Sequence, residues 1–384
     1  MSKDISDANV LLTAFDRAIK TARWKPTCQR ADHNALSLVA ELQNEIKTKT
    51  YHTEPTSTFI ISERGKTRLI SGNTIKDRTL RHALCDEFLM PAVIDYLIYD
   101  NGASVKDKGV DFSRNRLRCH LQRFYRKHGN KGYVLLIDFS KYYDNILHAT
   151  AFKQLADKLE DEQVIYLLEE IFGSFELDGS NLPDDVLEDI SRYKYDSVNH
   201  FREPRDKAQP YKGLKKSVPI GDQTSQVVGI FYPHEIDNYC KIVKGCKYYG
   251  RYMDDTYIIH ESKEYLAELL DEIRAIAKRL GIFINEDKTQ IYRLDKPFHF
   301  LQNSYYITET GRVVEKISKK RVKRMRRKLK KLAPRVQSGE IPKSDIEQMY
   351  RSWIGGYYKT MSKRQIRSLN KLYSELYEGE QENE

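Results

Sequence analysis

Long apolar runs are missing from this chain. Nothing approaches the roughly 18 consecutive apolar residues of a membrane-spanning helix; the densest runs, Val134–Ile137 and Val227–Tyr232, are the length of a core strand or core helix. The opening residues Met1-Ser-Lys-Asp-Ile-Ser-Asp7 lack the apolar stretch of a secretory signal. A soluble, cytoplasmic protein with no membrane partner is expected. Cysteine is sparse: Cys28, Cys85, Cys119, Cys240 and Cys246 include no Cys-x-x-Cys pair and no histidine at zinc-like spacing. A zinc module and a disulfide-stapled fold are thereby excluded, and reduced thiols are expected. Internal repeats and low-complexity tracts are absent too.

One further absence is local. Between Lys316 and Lys331 there is no acidic residue, while eleven residues are Lys or Arg. Without those eleven the chain would hold 54 basic against 55 acidic residues, so the net charge of +10 resides in this one segment. Charge gathered in this way faces a polyanion. Val322, Met325, Leu329 and Leu332 form an apolar stripe along the segment. One helical face therefore packs while Lys319, Lys320, Lys323, Arg324 and Arg327 fan outward as candidate nucleic-acid contacts. Sixteen helical residues span about 24 Å, enough to follow a duplex groove through sequence-independent phosphate contacts.

At 384 residues the chain has room for two or three packed lobes. Residues 9–50 read as helical, broken at Pro26. Phe59–Ser62 and Thr67–Ile70 flank a turn at Glu63-Arg-Gly65 and predict a hairpin with a basic tip. Arg78–Ala92 returns to helical spacing, and residues 100–130, rich in Lys and Arg, lead into an apolar strand, Tyr133–Ile137, that stops at Asp138. Residues 148–172 read as helices, and 173–212, with Pro204 and Pro210, as a surface insertion or long loop. A helix follows Gly221, with Asp222 as its N-cap. Tyr248–His260 predicts a second hairpin turning at Met253-Asp-Asp255. Leu266, Leu269, Ile273, Ile276 and Leu280 line one face of a helix over 262–280 that stops at Gly281. Short strands are expected at 281–284 and 298–301, and a basic helical tail from about residue 316. Strand, helices, hairpin, helix and strand over 133–285 fit a ferredoxin-like split βαβ sheet in an α+β fold. That sheet would bring Asp138 beside the Asp254-Asp255 turn.

Carboxylates at neighbouring strand ends suit nucleotidyl transfer. In-line phosphoryl transfer needs charge neutralised on the entering and leaving oxygens, and two Mg²⁺ about 3.5–4 Å apart do this. Mg²⁺ keeps waters and substrate phosphates, so two or three aspartates suffice as protein ligands. An Asp-Asp turn alone is ordinary turn chemistry. With its flanks it is Tyr249-Gly-Arg-Tyr-Met-Asp-Asp255 followed by Tyr257-Ile-Ile259, and Tyr-Met-Asp-Asp in a hairpin resembles the motif of reverse transcriptases. Other stretches match in order between about residues 55 and 332. Leu136-Ile-Asp138-Phe-Ser-Lys-Tyr-Tyr143-Asp-Asn-Ile146 resembles the first metal-binding motif. Lys66-Thr-Arg68-Leu-Ile70 and Lys76-Asp-Arg78 resemble the segment that grips the triphosphate. Val218-Pro-Ile-Gly221-Asp-Gln-Thr-Ser-Gln226 resembles the motif opening the helix under template and nucleotide. Asn285-Glu-Asp-Lys288 resembles the motif whose lysine faces pyrophosphate, and Phe298-His-Phe-Leu301 the primer grip.

This resemblance implies a right-hand polymerase with fingers (1–132), palm (133–300, carrying the insertion 173–212) and a basic helical thumb with a C-terminal extension (301–384). It implies Asp138, Asp254 and Asp255 as catalytic ligands of two Mg²⁺, with Mn²⁺ able to substitute, and Lys288 as a proton donor. Lys66, Arg68, Arg78, Tyr143, Gly221 and Gln226 would bind the deoxynucleotide, with the Tyr143 ring excluding a ribose 2′-hydroxyl. Asp144 is read as structural. Template or noncoding RNA, a primer, the cDNA product and dNTPs are the implied partners, and an accessory protein or a second copy stays open. Ile220 before Gly221 and Gln226 after Ser225 look like the enzymes of diversity-generating retroelements, as does the lack of a fused maturase, endonuclease or RNase H domain. The insertion and C-terminal piece also suit bacterial antiphage-defence reverse transcriptases. A non-catalytic RNA-binding scaffold is the rival of another class.

Overall fold

A computed structural model describes residues 4–63, 65–202 and 208–378. Met1 to Lys3, Arg64 in the expected hairpin turn, Pro204 of the expected insertion and the residues after Glu378 lie outside the described residues. The chain divides into two compact units. One comprises residues 1–113, 135–258 and 264–290, the other residues 114–134, 259–263 and 291–384. No helix among the described residues is long and apolar enough to cross a membrane.

The first unit opens with α1 (Ala8–Ile19), α2 (Pro26–His33) and α3 (Ala35–Lys47). Asp7 caps α1 through the amides of Asn9 and Val10, and Pro26 begins α2, where its missing N–H leaves no bond unmade. The expected hairpin is β1 (Ser57–Glu63) and β2 (Lys66–Gly72), in antiparallel register from Ser57–Gly72 to Glu63–Lys66. Next, α4 (Ile75–Leu84) runs through a π turn, Cys85–Leu89, into α5 (Met90–Val93). α6 (Val110–His128), most of which belongs to the second unit, then precedes β3 (Tyr133–Ile137) and β4 (Phe139–Ser140).

α7 (His148–Ala156) and α8 (Glu162–Gly173) follow. Beyond them, the described residues of the stretch expected as a surface insertion or long loop carry short elements: β5 (Leu177–Asp178), α9 (Asp184–Glu188) and α10 (Ser197–Arg202), with β6 (Gly213–Leu214) pairing back to β5. The polar composition of the stretch hides a buried Tyr195, 1 % exposed. α11 (Gln223–Phe231) and α12 (His234–Asn238) lead to the hairpin of β7 (Tyr249–Tyr252) and β8 (Asp255–His260). β3, β8 and β7 are neighbours in one sheet in that order. α13 (Lys263–Arg279) buries four of the five apolar positions of its expected face, and the fifth, Leu280, is buried just past its end. The strand expected at 281–284 shrinks to β9 (Phe283–Ile284) and pairs with β4, through Phe139–Ile284 and Ser140–Phe283, rather than joining that sheet.

In the second unit, after β10 (Gln290–Arg293), comes a meander that sequence patterning did not reveal in full. β11 (Phe298–Phe300), β12 (Asn303–Ile307) and β13 (Val313–Ile317) pair in order, so residue 316 still lies in a strand. The basic helix, α14 (Lys319–Gln337), starts three residues later than expected and packs with α15 (Lys343–Tyr357) and α16 (Lys363–Tyr377). Val322, Met325 and Leu329 are buried among Ile346, Tyr350, Leu369 and Tyr373, with Leu332 packed alongside.

Two fully buried guanidiniums brace the first unit. Arg251, on the β7 strand that carries the Tyr-Met-Asp-Asp turn, clamps both carboxylate oxygens of Asp237 at 2.6–3.0 Å and donates to the carbonyls of Ile230 and Met253. Arg81 of α4 donates to Asp222 at 2.9 Å. A buried ion pair gains little over an apolar pair, but removing one partner strands a charge out of water. Asp237→Ala is therefore expected to destabilise the protein by about 3–5 kcal/mol, read from the denaturant midpoint. A loss within the roughly 0.5 kcal/mol of an ordinary surface substitution would show that this pair does not brace the hairpin.

Candidate active site

Asp138 follows directly on β3, and Asp254-Asp255 lie at the β7–β8 turn, so neighbouring strands bring residues far apart in sequence to one end of a sheet. Tyr252 pairs with Asp255, which leaves Met253 and Asp254 as a two-residue loop and makes Asp255 the first strand residue. Met253 adopts a left-handed conformation, φ 54°, as does Lys141, φ 49°, just past Asp138. Such conformations cost a non-glycine residue about 1–2 kcal/mol, and here they flank the three carboxylates.

The electrostatics report the convergence. Burial lifts the pKa of Asp254, and the Asp138 charge lifts it further. Asp255 is raised to about 7, first by burial and then by the charges of Asp254 and Asp138. Lys66 and Lys288 pull both back down. Lys288 also pairs directly with Asp138, Nζ to Oδ1 at 2.7 Å. Asp138 itself is fixed from the backbone: its carbonyl accepts from the Asn285 amide at 2.8 Å and its amide donates to the Thr289 hydroxyl. No three acidic, histidine or cysteine side chains among the described residues are already gathered as a metal cage. The donor set nonetheless fits a hard divalent cation: acceptor-only oxygens repel one another, and a lysine ammonium supplies the positive charge beside them.

Tyr143 enters from a 3₁₀ turn, Tyr143–Asn145. Its hydroxyl lies 3.7 Å from the Met253 sulfur. A Cβ on Gly229 of α11 would come within 2.8 Å of that hydroxyl, so only glycine there leaves room for the ring. Tyr142 donates to the Gly229 carbonyl at 2.8 Å. Gly221, φ +113°, lies against β2, where a Cβ would meet the Ser71 carbonyl at 2.8 Å. The Ser71 amide donates to the Ile220 carbonyl at 3.0 Å, so the hairpin is tied to the start of α11. Asp222 caps α11 as expected, accepting from the Thr224 amide at 2.7 Å and the Ser225 amide at 3.4 Å.

The other nucleotide candidates are distributed differently. Lys66 and Arg68 share one face of β2, and the charge of Lys66 lowers the pKa of both turn aspartates. Gln226 is exposed and accepts from Ser104 at 3.3 Å. Arg78 departs from its expected place: its guanidinium donates to the Ala18 carbonyl and lines a separate cavity with Lys25, Asn34 and Asn73. A helix presents side chains on every side, and Arg78 faces α1. One turn on, Arg81 reaches Asp222 together with Asn73; sequence reasoning missed both, since nothing in the local pattern separates a buried arginine from an exposed one. Asp144 is structural, as read: it is buried and accepts from Ser197 at 2.6 Å. In the second unit, Lys319, Lys320, Lys323, Arg324 and Arg327 are all exposed along α14.

Residues 55–302 match the model of the reverse transcriptase (RNA-dependent DNA polymerase) family. No curated protein matches the chain. Among solved structures, a telomerase from Candida albicans, in complex with a fragment of telomeric RNA, is similar at 14 % identity and a TM-score of 0.45. The match covers 74 % of this chain and 49 % of that one, so the chain spans about half that telomerase's length.

The raised pKa of Asp255 predicts a pH dependence. Its folded pKa, about 7, exceeds the unfolded value of about 4. Stability from its protonation is therefore fully present below the unfolded pKa and is lost as pH rises through about 7. Without divalent cations, Asp255→Asn is expected to melt above the wild type at about pH 8, with the gap closing toward about pH 5. A variant that melts below the wild type at the higher pH would contradict the crowding of carboxylates.

Proposed function

Because the chain belongs to the reverse transcriptase family, we propose that it copies an RNA template into DNA at the site built from Asp138, Asp254 and Asp255. The observation that carries this reading is the Asp138 charge at one strand end raising the pKa of Asp254 and Asp255 at the adjoining one. Asp138, Asp254 and Asp255 would hold two Mg²⁺, or Mn²⁺ in their stead. When bound, these ions neutralise charge on the entering and leaving oxygens.

The rest is done by the chain's own residues. Lys66, with Arg68, draws in the triphosphate, and Lys66 stands close enough to act on both turn aspartates. Tyr143, wedged between Gly229 and Met253, closes the space a 2′-hydroxyl would need. Gly221 and Gln226 set the floor under the templating base. Lys288 holds Asp138 and donates a proton to the departing pyrophosphate. Residues 1–132 serve as fingers, 133–300 as palm and 301–384 as thumb and extension. The exposed cations of α14 follow the RNA–DNA duplex through its phosphates.

Ile220 and Gln226 support the retroelement type, with loosened base selection where an apolar side chain stands at the templating position. The folded insertion and the C-terminal helices favour a second reading, an antiphage-defence enzyme working with a structured noncoding RNA. Sequencing the nucleic acid that co-purifies with the protein separates them: a template repeat matching a variable gene supports the first, a structured noncoding RNA the second.

Primer extension on an RNA template tests the activity itself. Asp254→Ala and Asp255→Ala are expected to abolish DNA synthesis, and undiminished synthesis would point to the RNA-binding scaffold instead. For the thumb, Lys320→Ala combined with Arg324→Ala is expected to reduce the slope of log affinity against log salt by about 2. An unchanged slope would remove α14 from the duplex path.

A further inference from the structure

The folded insertion does not merely decorate the surface. Its segment 189–197 is fastened, residue by residue, to the turn that carries Tyr143. Asn145, fully buried, accepts from the Tyr195 amide at 2.9 Å and donates to the Tyr195 carbonyl at 3.3 Å. The same side-chain amide donates to the Lys141 carbonyl at 2.9 Å, closing the turn from inside. Asp144 accepts from Ser197 at 2.6 Å, and Lys141 pairs with Asp196 at 3.0 Å.

A second fastening lies behind the first. Lys216 is 0 % exposed, and its ammonium donates to the carbonyls of Ile190 at 2.7 Å and Tyr193 at 2.8 Å. Its ammonium also stands 5.2 Å from the centre of the Phe283 ring. Lys216 forms a bridge with Leu147, and Val218 donates to the Tyr143 carbonyl at 3.0 Å. The strip 216–218 thus touches both the Tyr143 turn and the segment covering it. A wholly buried lysine spent on two backbone carbonyls of an insertion is a costly device for a loop with no task.

We propose that residues 189–197, held by Asn145 and Lys216, form a clamp that sets the position of Tyr143 and so determines how strictly the site rejects ribonucleotides. Asn145, Ser197 and Lys216 are positioning residues: they act through the Tyr143 ring and touch no substrate. The proposal rests on the reading of Tyr143 as the sugar-discriminating residue. Turning the ring by a fraction of its width reopens space for a 2′-hydroxyl, while the aspartates, fixed from β3 and the β7–β8 turn, keep their places.

The test compares kcat/KM for a deoxynucleotide and the matching ribonucleotide, in primer extension with the full chain on one defined RNA template. Asn145→Ala and Lys216→Met are each expected to reduce the preference for the deoxynucleotide on the order of tenfold, chiefly by lowering the ribonucleotide KM, with deoxynucleotide kcat largely kept. Ser197→Ala gives a smaller shift and serves where the other two fail to fold. Tyr195→Phe keeps the backbone pair with Asn145 and is expected to behave as wild type. Tyr143→Ala is the reference: if it leaves the preference unchanged, the sugar-gate reading fails and the clamp with it. If Tyr143→Ala relaxes selection while the clamp variants that fold leave the ratio at the wild-type value, the clamp is overturned and the gate stands.

Discussion

Three like charges held near one another out of bulk water are the constraint that organises the first unit. The Asp138 charge raises the cost of ionising Asp254 and Asp255, and Asp254 adds to the cost at Asp255, with Lys66 and Lys288 offsetting part of it. The arrangement persists because the scaffold fixes the backbone beneath it. Asn285 and Thr289 hold Asp138, and Arg251 with Asp237 holds the strand leading into the turn. The left-handed Lys141 and Met253 are part of the same strain. A fold that stores repulsion at one point gains stability from a cation that arrives there, which couples metal binding to the order of the site.

Around that point, polar groups are used as fasteners rather than as surface. Asp222 caps α11 with one oxygen and receives Asn73 and Arg81 on the other, so α11, the β1–β2 hairpin's base and α4 share one carboxylate. Asn145 does the same for the Tyr143 turn and the insertion. Each fastener joins elements distant in sequence, and each is buried, where a lost hydrogen bond is costly. The Tyr143 turn and the start of α11 are in this way positioned from behind by buried polar side chains.

Much of this was legible beforehand, for physical reasons that differ by element. The β7–β8 hairpin was visible because alternating strands and a two-residue turn leave a strong pattern, and α13 because five apolar residues repeat at helical spacing. Asp222 as a cap was visible because capping is local chemistry. Hidden were the facts that depend on tertiary contact. The 173–212 stretch read as a surface insertion or loop because its elements are short and polar and its buried residues, such as Phe175, Tyr195 and Val198, are scattered singly. β12 and β13 were missed because the cations that begin at Lys316 masked the end of a strand. Arg78 was placed by motif where a helix turn instead directs it at Ala18, while Arg81 and Arg251, buried against aspartates, look in sequence like any other charged residue.

Whether the carboxylates form one cation cradle can be read directly from anomalous diffraction on crystals of the protein grown with Mn²⁺. The account predicts a manganese peak bonded to the Asp138 carboxylate together with that of Asp254 or Asp255, with Lys288 displaced from Asp138. Manganese bound elsewhere, with the Asp138 carboxylate remote from the turn pair, would contradict it.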